Sequence, residues 1–310
     1  MESGAEKTTN FRLQIEIMSK LKGVILVGVG AASYGILATI VKFANNSGAH
    51  TSALTFYQSL VGVISLFILM SLNYRKQPDL PKPKTRSKVK LLLFGTSMGL
   101  TSCLYYISIQ YVSVSIGIIL LMQSIWMSVV WEMIQQRKMA HWSKLVGSLV
   151  VLIGTVFATN LIQQDVKLSL IGLLYGLAAA LSYTISLHAS NHVEKQIPSL
   201  TRSFYLVTGG FITVILFWNV QIPANLDWMI FLKFGIVLGL FGTVIPPILF
   251  TRGIPLIGLG IAGILIALEI PVSILSAHLV LKEHISMMQW FGVLLIIATV
   301  VFMNIRKVKS

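Results

Sequence analysis

The sequence predicts an all-α membrane protein: ten transmembrane helices built from two inverted five-helix repeats, with both termini inside (N-in/C-in). Three observations carry that expectation. Apolar residues make up 55% of the chain and Asp, Glu, Lys and Arg only 11%, too few charges to cover a water-facing surface. The mean hydropathy is +0.82, and the apolar residues fall in runs. A hydrocarbon core of about 30 Å needs roughly 20 helical residues, which these runs supply. Finally, features of the first half return in the second at a spacing of 145–149 residues.

The elements follow in order. Met1 to Ser19 is polar and of mixed charge (Glu2, Glu6, Lys7, Arg12, Glu16), so 1–20 reads as a cytoplasmic tail. The apolar run after Lys20 and Lys22 exceeds a signal-peptide core and reads as a first helix that is retained. Ten runs lie near 21–43, 52–73, 90–110, 112–135, 143–161, 168–189, 201–219, 228–250, 256–281 and 286–305. They are separated by short punctuators such as Asn45-Asn46-Ser47-Gly48, Gln163-Gln164-Asp165 and Gly253 to Pro255. No segment alternates as a strand would, and open strands cannot cross lipid. The single Cys103 lies in an apolar run, so neither a disulfide framework nor a metal site is expected, and no nucleotide-binding motif or other cofactor signature is present.

The net charge of +14 would suit nucleic acid, but the cations sit in clusters between apolar runs. With the N-terminus inside, 20 of the 24 Lys and Arg fall on the inner side, and only Lys42, Lys167, Lys233 and Lys282 fall outside. That bias orients a protein in the cell (cytoplasmic or inner) membrane, and nucleic acid is not an expected partner.

The repeat is specific in its residues. Ala31-Ala32-Ser33-Tyr34-Gly35-Ile36 returns as Ala180-Leu181-Ser182-Tyr183-Thr184-Ile185, and Phe56-Tyr57 with Gly62 returns as Phe204-Tyr205 with Gly210. Gly147 matches Gly292, and Ser124 falls opposite Glu269. Five crossings per repeat force the halves into opposite orientations, the architecture of secondary transporters with a site near the midplane. The chain therefore divides into 1–20, a first repeat at 21–160 and a second at 168–305.

Glu269 is the sharpest single feature. It sits at the middle of Leu256 to Leu281, where a charge costs roughly 2.5–3.5 kcal/mol on insertion scales. Pro271 loosens the helix beside it by removing a backbone donor. Either the carboxyl hydrogen-bonds a neighbouring helix, or it faces a polar cavity through which a solute passes. Ser33, Tyr34, Gln123, Ser124, Trp126, Ser182 and Tyr183 lie near the same depth, and each taken alone reads as well as a packing residue. Pro246-Pro247 must break or kink the eighth helix, freeing carbonyls that suit a cavity wall or a gate. Small-residue stripes such as Gly95-x-x-x-Gly99, Gly172-x-x-x-Gly176-x-x-x-Ala180, Gly235-x-x-x-Gly239 and Gly263-x-x-x-Ala267 read as helix contacts. Glu132 is expected to pair with Arg137 or Lys138, His188 and His192 to be exposed at the interface, and Tyr105 and Tyr106 to form a belt or gate. Lys282 and Glu283 read as a helix-end charge pair.

The stretch LIALEIPVSILSAHLVLKEHISMMQWFGVLLIIATVV resembles the EamA domain of the drug/metabolite transporter superfamily, ten-helix type. It has the mid-helix Glu269, a second acid at Glu283 and the Gln289-x-x-Gly292 start of the last helix, and the likeness covers both repeats. Proline stands at 271 rather than directly after Glu269; the first copy has Gln123-Ser124-Ile125-Trp126 where many members carry proline, and Tyr57-Gln58 replaces a frequent arginine. The resemblance implies a central cavity lined mainly by helices one, three, four, six, eight and nine, bringing the mid-depth residues beside Glu269. It implies a secondary transporter, an exporter of a small metabolite such as an amino acid or related compound, working by alternating access. The lipid bilayer and a small-molecule substrate are then the partners, with a proton as a candidate coupling ion, and the protein is a monomer or homodimer rather than an enzyme. A membrane-embedded enzyme acting on a lipid or isoprenoid, or a non-transporting sensor or accessory subunit, are the readings from other classes. The first wants grouped acids or metals and the second a sizeable soluble domain.

Overall fold

A helix satisfies its own backbone polar groups, so a chain this apolar can cross lipid only as helices, and the described residues contain no strand. The computed structural model describes residues 2–112, 114–159, 169–219, 221–282 and 284–308. Glu283, Lys167 and Gln163-Gln164-Asp165, singled out above, lie outside the described residues. The elements are α1 (Glu2–Asn46), α2 (Thr51–Lys76), α3 (Thr85–Tyr111), α4 (Val114–Leu121), α5 (Ser124–Gln136) and α6 (Trp142–Ala158). After them come α7 (Leu170–His192), α8 (Ser199–Trp218), α9 (Trp228–Ile257), α10 (Leu259–Ile266), α11 (Glu269–Leu281) and α12 (Met287–Val308). Eight spans among the described residues are long and apolar enough to cross a membrane, and α6 and α12 contribute shorter apolar helices. The polar segment expected as a tail continues α1 as helix from Glu2.

Two apolar runs expected as single helices are each broken at mid-length. α4 gives way to α5 at Met122-Gln123, and α10 gives way to α11 at Ala267-Leu268. The breaks are equivalent. Gln123 and Leu268 hold nearly identical backbone angles (φ −59°, ψ −20° and φ −60°, ψ −19°), and the paired half-helices both end on a left-handed residue, Arg137 and Lys282. Ser124 and Glu269, matched in the sequence, are thus the first residues of equivalent half-helices. In the second repeat Pro271 explains the break, since it can neither bond nor tolerate the carbonyl of Ala267. In the first, the Gln123 side chain donates to the Ile119 carbonyl at 3.0 Å, satisfying an acceptor near the break.

The repeat is also visible in packing. α3 lies against α7 and α8 as α9 lies against α1 and α2; α4 and α5 pack on α7 as α10 and α11 pack on α1. The equivalent helices α6 and α12 meet each other antiparallel: Gly147 faces Met303 at one end, and Ala158 faces Gly292 at the other. The glycine stripes explain why these contacts are so close. A methyl group at Gly95 would overlap the Leu206 carbonyl, one at Gly99 the Gly210 carbonyl, and one at Gly35 the Glu269 carbonyl. Lipid gives helices no hydrophobic reason to pair, so backbone-to-backbone approach supplies the dispersion that holds them.

Pro246-Pro247 do not break α9, contrary to expectation. The chain widens into π-helical turns at Phe231–Gly235 and Leu240–Val244, and the prolines open the α-helical stretch that follows, where their missing N–H groups are tolerated. In the π register the donor due to the Phe241 carbonyl is Pro246, which has none; Ser33 Oγ donates to it instead at 2.6 Å.

Gly95→Leu is expected to overpack the α3–α8 crossing by at least about 1–3 kcal/mol. It should lower the Tm of the purified protein in detergent or abolish its monodisperse peak, whereas Leu93→Ala, on the exposed face of the same helix, should leave both nearly unchanged.

Candidate functional site

Between the halves lies a cavity of about 690 Å³, to which α1, α2, α3, α7, α8, α9 and α11 all contribute. It opens at the end of the bundle carrying Asn45, Asn46, Thr51, Thr159 and His284. Glu269 is in its wall, at the start of α11, and among the described residues no side chain donates a hydrogen bond or ion pair to its carboxylate. Tyr34 and Tyr183, the pair related by the repeat, line the cavity with it, as does Tyr105. Tyr34 meets the edge of Phe250 with ring centroids 5.8 Å apart. The Tyr183 hydroxyl is buried and has no hydrogen-bond partner among the described residues.

The sequence-derived set divides. Glu269, Tyr34, Tyr183 and Pro247 line the cavity; Ser33, Gln123, Ser124, Trp126, Ser182, Pro246 and Pro271 do not. Physical reasons are plain for most of these. Ser33 is taken by the Phe241 carbonyl, and Ser182 Oγ donates to the Ser97 carbonyl at 2.9 Å, tying α7 to α3. Gln123 is occupied at the α4–α5 break and accepts from the Trp126 indole at 2.9 Å, while Trp126 itself is on the outer surface. Ser124 is buried in the bundle, and Pro271 acts through the backbone only. Tyr105 and Tyr106, expected as belt or gate residues, are in the cavity wall.

Other lining residues were not singled out in the sequence at all. On α2 they are Thr51, Thr55, Gln58 and Ser59; on α7, Ser186 and Ser190 continue the face of Tyr183. A signal for them existed. Polar residues at i, i+4, i+7 and i+8 on α2 and at i, i+3 and i+7 on α7 form one stripe on each helix, the spacing that puts side chains on a single face. On α12, Gln289 joins a capping box with Ser286 and also donates to the Ala158 carbonyl at 3.3 Å, beside the cavity mouth.

The opposite end is closed by polar contacts. Arg202, 3% exposed, donates to the carbonyls of Ala189, Ser190, Val193 and Thr251, satisfying the C-terminal turn of α7 beneath Ser190. Glu132 pairs with Lys144, not with Arg137 or Lys138 as expected, because its carboxylate is turned inward against Gly258 and Gly260 at the start of α10. That position joins a carboxylate to a helix N-terminus. His188 is half-buried and accepts from the Trp131 indole at 3.0 Å, while His192 stacks on it and is exposed. In the loop after α7, Glu194 is held below the ordinary carboxylate range by a hydrogen bond from Ser87, with Lys90 at 3.4 Å adding to it.

Such a bundle, with a cavity between two repeats, is an arrangement suited to membrane transport. The model of the EamA-like transporter family matches residues 21–160 and again 170–305, and the chain belongs to that family. A relative from Bacillus subtilis (strain 168), described as "Uncharacterized transporter YcbK", is 25% identical over 306 residues, covering 96% of this chain and 97% of its own. One solved structure, described as "Crystal structure of protein", superposes with a TM-score of 0.69 at 14% identity, covering 92% of this chain and 96% of the other. The double match agrees with the drug/metabolite transporter superfamily, and the protein is a multi-pass membrane transporter of some small substrate.

Two measurements check the closed end. Lys144→Met leaves a buried carboxylate uncompensated and is expected to destabilise by about 3–5 kcal/mol, most of which Glu132→Gln/Lys144→Met should recover. Glu194, with a folded pKa below its unfolded one, stabilises fully above the ordinary value of 4.5 and loses that contribution as pH falls below it. Glu194→Gln should therefore flatten the acid limb of the Tm–pH curve.

Proposed function

We infer that this protein is a ten-helix secondary transporter, oriented N-in/C-in in the cell membrane, that exports a small metabolite by alternating access. The observation that carries the reading is the 690 Å³ cavity between the repeats, open at one end, sealed at the other, with one carboxylate among the described residues of its wall. The sealed end bears most of the cations, including Arg75, Lys76, Lys82, Lys84, Arg137 and Lys138. The positive-inside bias makes that end cytoplasmic and the cavity mouth external. Two inverted repeats then give the second state without a new fold: one half rocks against the other, opening the clasp of Glu132 and Lys144 and closing the mouth.

In this cycle Glu269 serves the substrate directly or carries a proton in exchange for it. Tyr34 and Tyr183 flank it from both repeats and orient the solute with their hydroxyls, while Phe250 and Phe211 supply apolar contact. Residues 1–20 lie outside the repeats on the cytoplasmic side. The folded unit is complete as a monomer, and a homodimer would bury only its outer surface.

The experiment is flux in proteoliposomes under an imposed pH gradient, comparing the wild type with Glu269→Gln. Loss of at least tenfold of the pH-driven flux, with the purified variant still monodisperse, is the expected outcome. Unchanged flux would remove Glu269 from the coupling step.

A further inference from the structure

We propose that the cavity selects an aromatic or otherwise amphipathic organic monocation, such as a protonated amine, in preference to the zwitterionic amino acid or the anion built on the same skeleton. The proposal deepens the transport reading above and rests on it.

The charge balance of the wall carries it. Among the described lining residues, Glu269 is the only acid, no lysine or arginine is present, and His284, at the mouth, is the only histidine. Two described cations of the sealed end are already committed, and Lys282, near the mouth beside His284, is exposed. Arg202 directs its donors into four carbonyls beneath Ser190, and Lys144 is held by Glu132 outside the cavity. A carboxylate on the solute would therefore meet no cation in the described wall. The two half-helix N-termini, the usual substitute for one, are not available at the depth of the acid: α11 begins with Glu269 itself, and α5 begins at Ser124, buried away from the cavity, while α2 begins only at the mouth, at Thr51. An ammonium group, by contrast, finds an acid with no other partner, and burying an ion is tolerated when a counter-ion waits for it.

The rest of the wall suits the body of such a cation. Tyr34, Tyr105 and Tyr183 surround the acid, and Tyr106, Phe211 and Phe250 extend the aromatic surface. Aromatic faces attract cations and stack on rings, and the volume exceeds what a single aromatic amine requires. The hydroxyl stripes of α2 and α7 can accept from an N–H but carry no charge to bind an anion.

A matched indole series tests this with the full-length protein in detergent. Tryptamine is the cation, tryptophan the zwitterion, indole-3-acetate the anion and tryptophol the neutral form. Thermal shift and calorimetry should give tryptamine at least tenfold tighter binding than tryptophan or tryptophol, and no binding of indole-3-acetate. Glu269→Gln should reduce tryptamine to the level of tryptophol without changing tryptophol, and Glu269→Asp should restore the preference, which a merely misfolded variant would not do. Binding of tryptophan or indole-3-acetate as tight as tryptamine, or no binding of tryptamine, overturns the proposal. Flux of tryptophan or indole-3-acetate in proteoliposomes would overturn it while leaving the transport reading intact; absence of flux for any arm would count against both.

Discussion

In hydrocarbon every backbone carbonyl that loses its helical donor must find another inside the protein, and this requirement shapes the centre of the molecule. The chain breaks α4–α5 and α10–α11 at equivalent points, and it widens α9 into π-turns ahead of two prolines. Each departure frees acceptors where water is scarce. Gln123 answers one at Ile119, Ser33 one at Phe241, and Arg202 one at Thr251, whose helical donor would be Pro255. Only after these groups are committed does a polar remainder exist to face the cavity. That remainder is Glu269 with its tyrosines.

The same requirement separates scaffold from site. Hydroxyls and amides that are engaged with backbone hold the helices in register, and those left over can meet a solute. Arg202 is the extreme case: a full charge, buried, used to terminate α7 and to answer the Thr251 carbonyl of α9. Glycines complete the arrangement by letting α3 and α8 touch through their backbones, so the cavity is enclosed by rigid contacts rather than by bulky side chains.

Helices, their order and the repeat were legible in the sequence because hydropathy, cation placement and glycine spacing act locally. Glu269, Tyr34 and Tyr183 were legible too, the first because an acid at that depth is costly and the others because the repeat marks them. Ser33, Gln123 and Ser182 are not in the cavity wall, and the sequence hides this for one reason. A polar residue in a membrane helix looks alike whether it serves a neighbouring carbonyl or a solute, and the π-turn that frees Phe241 leaves no local signature. Trp126 failed differently, since periodicity alone does not say which face of a broken helix turns outward. The stripes through Thr55 and Gln58 and through Ser186 and Ser190 were present at helical spacing, yet each residue is individually ordinary.

The pairing of Ser124 with Glu269 has one further consequence. A scaffold with approximate two-fold symmetry would offer any solute two degenerate poses, one per half, and could hold two solutes at once. Placing the acid on one half alone lifts that degeneracy. On the transport reading proposed above, a solute that pairs with Glu269 would then take one orientation, fixed by a single side chain rather than by the fold.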